Sequence, residues 1–478
     1  MVEPLVRRDV WRLAQPWDAV THAYALAVGR MKEERADDPP SWHWTYQTQV
    51  HGMGGDPGDG LRHQCQHNCW FFLPWHRWYL THFERIVRAV LAVVDGVDDE
   101  VRATWALPYW DYNGDPSTTR FLPSAFREPL LPDGNANPLF ESDRNWGINE
   151  AEVALTDEDV DLSWMGETRY SSNVGAPSFG GAATARNHLG EAPGARPGAL
   201  ELTPHGAVHM TVGGLMSGFA TAGGDPVFWL HHCNVDRLWE VWRGTTGVGQ
   251  DPTEQQWLDE PFDFLDETGA RVTETSAAVL DTVGRLGYRY EDVGAPAPMA
   301  APVRVRERAM AGTEGGAPPE ERPPERVGAS GADVVLQGDT ADVQFDLDRP
   351  PEPEPGGPEL AAPRPRRVIL NLENITSDGH PRVGYAVYLR SADGSEEHFV
   401  GTIPLFGLAE AMEDDTAHEL AYAFDVTAVV DELRSRDQWD PARVAVSFRP
   451  ANEALAVRAR DADRVGRVRV GSVSVAYQ

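Results

Sequence analysis

Along residues 74–96, PWHRWYLTHFERIVRAVLAVVDG, apolar side chains recur at three- and four-residue steps, the period of a helix with a buried face. Pro74 suits the first turn of such a helix and Gly96 suits its stop. The same period runs through GDPVFWLHHCNVDRLWEVWRG (224–244), with Asp225 as N-cap, Pro226 next and Gly244 as terminator. Between these two, TPHGAVHMTVGG predicts a short helix closed by paired glycines. Helical patterns and Gly/Pro loops alternate in this way to about residue 293.

From 294 to 331 large apolar residues become scarce and Ala, Pro, Arg, Glu and Gly dominate, the composition of a mobile linker. Beyond it the period drops to two. DVVLQGDTADVQFDLD, RVILNLENI, GYAVYLR, RVAVSFRP and RVGSVSVAYQ alternate apolar and polar positions, which predicts an antiparallel β domain. A Pro-rich stretch near 350–365 reads as a disordered loop. The expected layout is a mainly α domain over 1–293, a linker over 294–331 and a β-rich domain over 332–478.

Composition narrows the partners. A chain of 478 residues can bury two cores, and it contains no run of 18 apolar residues, so no membrane-spanning helix is expected. The formal charge of −32 argues against nucleic acid or an anionic membrane as partner, since both select basic surfaces. Three cysteines make no disulfide framework and point to a reducing compartment. The first residues lack an apolar signal core, so the expected location is cytoplasmic, with export by a partner protein as the alternative.

The histidines change the picture by their grouping. His205 and His209 stand four apart on a helical pattern and project from one face. The pair His231–His232 follows on the next helix, and three imidazoles can hold one metal with a position left open. The stretch HQCQHNCWFFLPWHRWYL supplies a second set. His67 and His76, nine apart, are out of phase on one continuous helix; a break at Pro74 puts His67 in the loop and His76 in the first turn. His51 in TYQTQVHGMGG offers a third ligand, with His43 and His63 as competitors. Imidazole sites without carboxylates favour copper or zinc over magnesium or calcium, and spacing does not choose between the two.

HNCWFFLPWHRWYLTHFER and DPVFWLHHCNVDRLWEVW resemble the two copper motifs of the binuclear type 3 copper proteins: tyrosinases, catechol oxidases and haemocyanins. QWLDEPFDFLDETGARV and LGYRYEDV, with Tyr288 and Tyr290, resemble the segment that closes the catalytic domain of plant-type polyphenol oxidases. HFVGTIPLF to the C-terminus resembles their shielding domain. The resemblance implies a helical bundle holding two copper ions, followed by an antiparallel β-sandwich-like domain. It implies His51, His67 and His76 on the first copper and His205, His209 and His232 on the second, with His231 as a pocket residue. Cys65 two positions before His67 implies a thioether between them; Cys69 and Cys233 read as ordinary buried residues.

The resemblance further implies a copper-dependent polyphenol oxidase that takes small phenols and dioxygen. Glu201, in LELTPH, matches a glutamate that holds a water near the metals. Gly206 stands where many tyrosinases carry an asparagine that orients this water, a departure that disfavours monophenol hydroxylation. Phe219, in MSGFATAGGDP, matches a bulky gate over the second copper. Leu405 or Phe406 is the expected plug of a latent enzyme. The implied activity is o-diphenol (catechol) oxidation to o-quinones; a tyrosinase, an o-aminophenol oxidase and a haemocyanin-like oxygen carrier are the alternatives. A copper chaperone as loading partner is left open.

Overall fold

The computed structural model describes residues 3–13, 16–33, 40–53, 60–188, 192–245, 248–293, 323–348, 367–413, 420–460 and 466–478. Strand β1 (Leu5–Arg7) leads into helix α1 (Ala19–Lys32), whose first turn is closed by Asp18 accepting from the Val20 and Thr21 N–H groups. Helix α2 (Trp44–His51) is capped by His43, its Nδ1 accepting from Thr45 N at 3.2 Å.

Helix α3 (Phe72–Leu91) is buried on nearly every side, which is why its sequence is apolar beyond one stripe. It begins two residues before Pro74, so the proline occupies the first turn, where no backbone donor is needed, and breaks nothing. His76 therefore lies in the second turn, not the first. The helix also ends earlier than expected, at Leu91, because the core runs out there: Val93 is 76% exposed, and Gly96 (φ 81°) only turns the chain afterwards.

Short helices α4 (Asp99–Thr104) and α5 (Ser124–Arg127) follow. A π-turn over Glu201–Gly206, with Thr203 extended inside it, runs into α6 (Ala207–Val212). Gly213 and Gly214, both at positive φ, stop α6 as expected. Helix α7 (Pro226–Gly244) starts on Asp225, which accepts from Val227 N at 3.0 Å and pairs with buried Arg144 at 2.7 Å.

Strands β2 (Pro261–Leu265) and β3 (Arg271–Thr275) form a hairpin, and β4 (Tyr288–Tyr290) lies parallel to β1. That last pairing ties the start of the helical domain to its end. Beneath it Asp236 of α7 accepts from Tyr288 and Tyr290 and pairs with Arg77 of α3 and with Arg7, whose guanidinium lies 3.5 Å over the Tyr288 ring. Arg7 also meets Glu84 of α3 at 3.0 Å. Paired charges of this kind hold α3 and α7 in fixed register at the centre of the domain.

The second part contains β5 (Glu325–Ala329), β6 (Val334–Leu336), β7 (Ala341–Phe345), β8 (Val368–Ser377), β9 (Tyr385–Arg390), β10 (Glu397–Ile403), β11 (Leu420–Asp425), β12 (Val444–Pro450) and β13 (Val468–Tyr477). They form two antiparallel sheets, β10-β9-β12-β7 and β11-β8-β13-β5, with β6 also on β13. Leu370, Leu372, Val387, Leu389, Val446, Phe448, Val473 and Val475 fill the core between alternating polar positions. The expected linker is outside the described residues as far as 322, and from Glu325 the chain is already strand, because the short apolar residues of ERVGA pair with Ser474–Tyr477. The expected Pro-rich loop at 350–365 lies outside the described residues.

Candidate metal centre

Six imidazoles converge where α2, α3, the π-turn, α6 and α7 meet. His51 is the last residue of α2, His67 sits in the loop before α3, and His76 faces inward from α3. Their ring centroids are 5.3, 5.5 and 5.2 Å apart. Opposite them His205 closes the π-turn, His209 lies one turn on in α6 and His232 projects from α7, at 4.6, 4.9 and 5.3 Å. The two triads face each other: His76 stacks on His232 at 4.6 Å, and His67 is 5.9 Å from His205. All six are buried.

Backbone carbonyls set the tautomers. Nδ1 of His51 donates to Phe219 O at 2.8 Å, of His76 to Phe72 O at 2.8 Å, of His205 to Glu201 O at 3.1 Å and of His209 to Met216 O at 2.7 Å. Each ring then presents an Nε2 lone pair inward, the arrangement of metal-binding histidines. Burial keeps all six neutral, His76 lowered to about 3 and the others well below the ordinary histidine value.

Those lone pairs lack protein partners. Nε2 of His51, His76 and His205 and both ring nitrogens of His67 are buried without a hydrogen bond. His209 and His232 bring Nε2 to within 3.1 Å of Nε2. Two buried lone pairs so close repel unless a proton or cation lies between them, and two nitrogens on one ion at about 2.0–2.1 Å stand roughly this far apart. The donor set, neutral imidazole without carboxylate, fits a copper pair.

His231 joins the second cluster rather than the first: its donor atoms lie within 4.8 Å of those of His205, His209 and His232, and its ring stacks 5.7 Å from His205. Of this pair it is His232 that faces the first triad, stacking on His76 at 4.6 Å. The competitors stand aside. His43 is spent on the α2 cap, and His63 packs on His188 at 4.0 Å while accepting from Met53 N at 3.1 Å. Cys65 lies with the nitrogens of His51 and His67 inside 4.8 Å, and its Sγ is 3.1 Å from His188 Nδ1. No disulfide joins the three cysteines.

Phe219 departs from the expectation. It stacks on His67 of the first triad, centroids 4.3 Å apart and planes at 22°, instead of covering the second. The reason is its backbone: the carbonyl that anchors His51 belongs to Phe219, which fixes the ring beside that triad. The second triad is covered from the β domain, where Phe406 stacks on His209 at 4.1 Å and 18° and meets Phe219 edge-on at 4.7 Å. Leu405, at φ 66°, is buried beside it, and Phe406 is the residue that lies on imidazoles. Glu201 is buried; its Oε1 accepts from Asn68 N at 2.7 Å, its Oε2 has no partner, and burial raises the carboxyl to about 8. Gly206 follows His205 directly.

Sequence reasoning missed His188, which no spacing links to Cys65, and Pro404, which packs against Gly206. It also missed the four anchoring carbonyls, which carry no side-chain signal.

Comparison with known proteins gives the family. Residues 41–245 match the common central domain of tyrosinase, 251–306 a polyphenol oxidase middle domain and 323–478 a domain of unknown function. A tyrosinase of Hahella sp. (strain CCB-MM4) is 31% identical over 98% of this chain and 99% of its own. The chloroplastic polyphenol oxidase of Malus domestica is 32% identical over 60% of this chain and 49% of its own, so the chain spans about half the length of that plant relative. The structure of latent apple tyrosinase matches 99% of this chain and 98% of its own at 23% identity and TM-score 0.62; latent aurone synthase matches at 20% identity and 0.63 over 100% of this chain and 90% of its own. Both structures are likenesses of fold.

The expected cytoplasmic location is overturned. Relatives from Malus domestica, Vicia faba, Ipomoea batatas and Solanum lycopersicum are chloroplastic, so absence of a visible leader does not indicate cytoplasm in this group. Among the described residues no helix is long and apolar enough to cross a membrane. Two facing histidine triads in a helical domain, an antiparallel domain after it and full-length similarity to a tyrosinase lead to one conclusion: the chain belongs to the tyrosinase and polyphenol oxidase family of type 3 copper proteins.

Proposed function

We propose that the protein is an o-diphenol oxidase, latent while Phe406 is seated. Two catechols give four electrons and four protons to one dioxygen, yielding two o-quinones and two waters. The copper pair, held by His51, His67 and His76 and by His205, His209 and His232, supplies electron exchange between phenol and oxygen. The chain's own residues do the rest. Carbonyls of Phe219, Phe72, Glu201 and Met216 fix the imidazoles, so little reorganisation accompanies electron transfer. Phe219 and Phe406 meet edge-on and limit access to the pocket, and the unpartnered Oε2 of Glu201 can hold a water beside it.

The observation that carries the diphenol preference is Phe219 lying flat on His67 with a glycine, not an amide, after His205. A narrowed approach and no side-chain amide to orient a water disfavour removal of the proton from a monophenol. Dioxygen uptake with catechol and with tyramine tests this: catechol should be consumed far faster, and equal rates overturn the preference. Full-length similarity to a protein named tyrosinase favours the second reading, monophenol hydroxylation, which the same assay reports. Placement of Phe406 on His209 supports latency, as does likeness to structures titled latent.

A further inference from the structure

Gly206 has ordinary helical backbone angles, φ −65° and ψ −33°, which any residue adopts and at which alanine is the better helix former. Its missing side chain is therefore not explained by its own backbone. A Cβ there would stand 2.6 Å from Pro404 Cγ and 2.8 Å from Pro404 Cβ, closer than packed carbons come, with Glu201 O next at 3.3 Å. The reciprocal fit lies on the other side of the loop. Gly407 has φ 70°, and a Cβ there would run into the Phe219 ring. Each domain thus offers a glycine to a ring of the other, and Phe406 sits between the two contacts, on His209 and Phe219.

We infer that Gly206 is the socket on which the β domain docks, through Pro404, and that the size of residue 206 decides whether Phe406 can be seated over the second triad. The inference rests on the shielding reading above. It has a consequence for specificity. An asparagine at 206 would push Pro404 out of the position it holds here, so a water-orienting amide at this position and a β domain seated in this way oppose each other. Gly206 bears on which phenol is oxidised and on when the pocket opens.

The test uses the full chain with a specific protease site placed within 294–322 and follows the two fragments by size exclusion after cleavage. Wild-type fragments should elute together. Gly206→Ala should weaken their association roughly tenfold or more, the effect of one overpacked methyl, and separate them. Gly206→Ala combined with Pro404→Gly removes both clashing carbons and should bring the fragments back together. In the uncut Gly206→Ala chain, catechol oxidation should approach the rate of its own cut form. Circular dichroism and copper content of the helical fragment distinguish release of the domain from unfolding. Fragments of Gly206→Ala that stay together as tightly as wild type overturn the inference, as does a double variant that folds and still separates. Elution does not depend on turnover, so absence of catechol oxidation with this elution pattern intact would sink the proposed activity and leave the socket standing.

Discussion

Phe406 of the β domain lies face to face with His209 of the helical domain, ring centroids 4.1 Å apart and planes within 18°. The stack covers one ligand of the second triad with a residue nearly two hundred positions away in the chain. Removing that ring should uncover the triad without any protease. Phe406→Ala is expected to raise catechol oxidation of the uncut chain several-fold, with larger gains for bulky catechols. The loop should lose on the order of 3 kcal/mol of packing. Initial rates on a small and a large catechol check it; unchanged rates on both would remove Phe406 as the plug.

Metal content should follow the two triads. Copper-loaded wild type is expected to carry about two coppers per chain, one for each triad. His209→Ala removes a ring anchored on Met216 and facing His232, and should lower the content to about one with the fold retained. Atomic absorption on desalted protein gives the count.

Cys65 stands with His51 and His67 inside 4.8 Å and also within 3.1 Å of His188. A thioether from Cys65 to His67 is the proposed outcome of copper loading and turnover. Intact mass should then fall by two hydrogens and a cross-linked peptide should appear, both absent in Cys65→Ser. Free alkylation of Cys65 in the unfolded, copper-loaded protein would speak against the bond.

Asp236 is the hub between α3, α7, β1 and β4, taking Arg7, Arg77, Tyr288 and Tyr290 together. Its carboxyl lies below the ordinary value although burial pushes it up, because the two guanidiniums outweigh that effect. Asp236→Ala takes away the carboxylate that two buried cations share, leaving Arg7 with Glu84 and Arg77 with Glu240 alone, and should cost about 3–5 kcal/mol in urea unfolding. A loss under 1 kcal/mol would mean the network is not what holds the helices in register.

Among the described residues, Asp159 is one of four carboxyls that burial raises to about 7 or 8, with Asp9, Glu167 and Glu201, and so contributes a share of the pH dependence of stability. Burial raises its carboxyl to about 7, against hydrogen bonds from Thr156 N at 3.0 Å and Thr211 Oγ1 at 3.1 Å, the latter on α6. The folded state holds this proton more tightly than the unfolded chain. Its contribution to stability is therefore complete below about pH 4 and is lost as pH rises through about 7. Asp159→Asn should flatten that part of the stability profile between pH 4 and 8, measured by thermal unfolding. An unchanged slope would assign the dependence to other groups.

Much of the α3–α7 frame was legible because it is local chemistry. Asp225 and Pro226 start α7 where expected, since an N-cap and a proline need only their own turn. His205 and His209 fall on one face because four residues make about one turn, and this survives the π-turn that carries His205. Where burial decides, the pattern was less informative. α3 is wrapped on all sides, so its apolar run marks neither the first residue, Phe72, nor the last, Leu91. Pro74 falls in the first turn, as its lack of a backbone donor suggests, while His76 falls one turn later than expected.

What the sequence by itself determined is the supply of candidate imidazole donors and the period of each element, since these depend on side-chain type and near neighbours along the chain. Only the tertiary structure decided which imidazoles meet and which way each ring points, because anchors such as the Phe219 and Met216 carbonyls are backbone groups identical in every sequence. It also decided that Phe219 serves the first triad and Phe406 the second, and that Gly206 lies under Pro404. Those contacts join residues far apart in the chain, and a close approach between them is a property of packed volume, which no local spacing encodes.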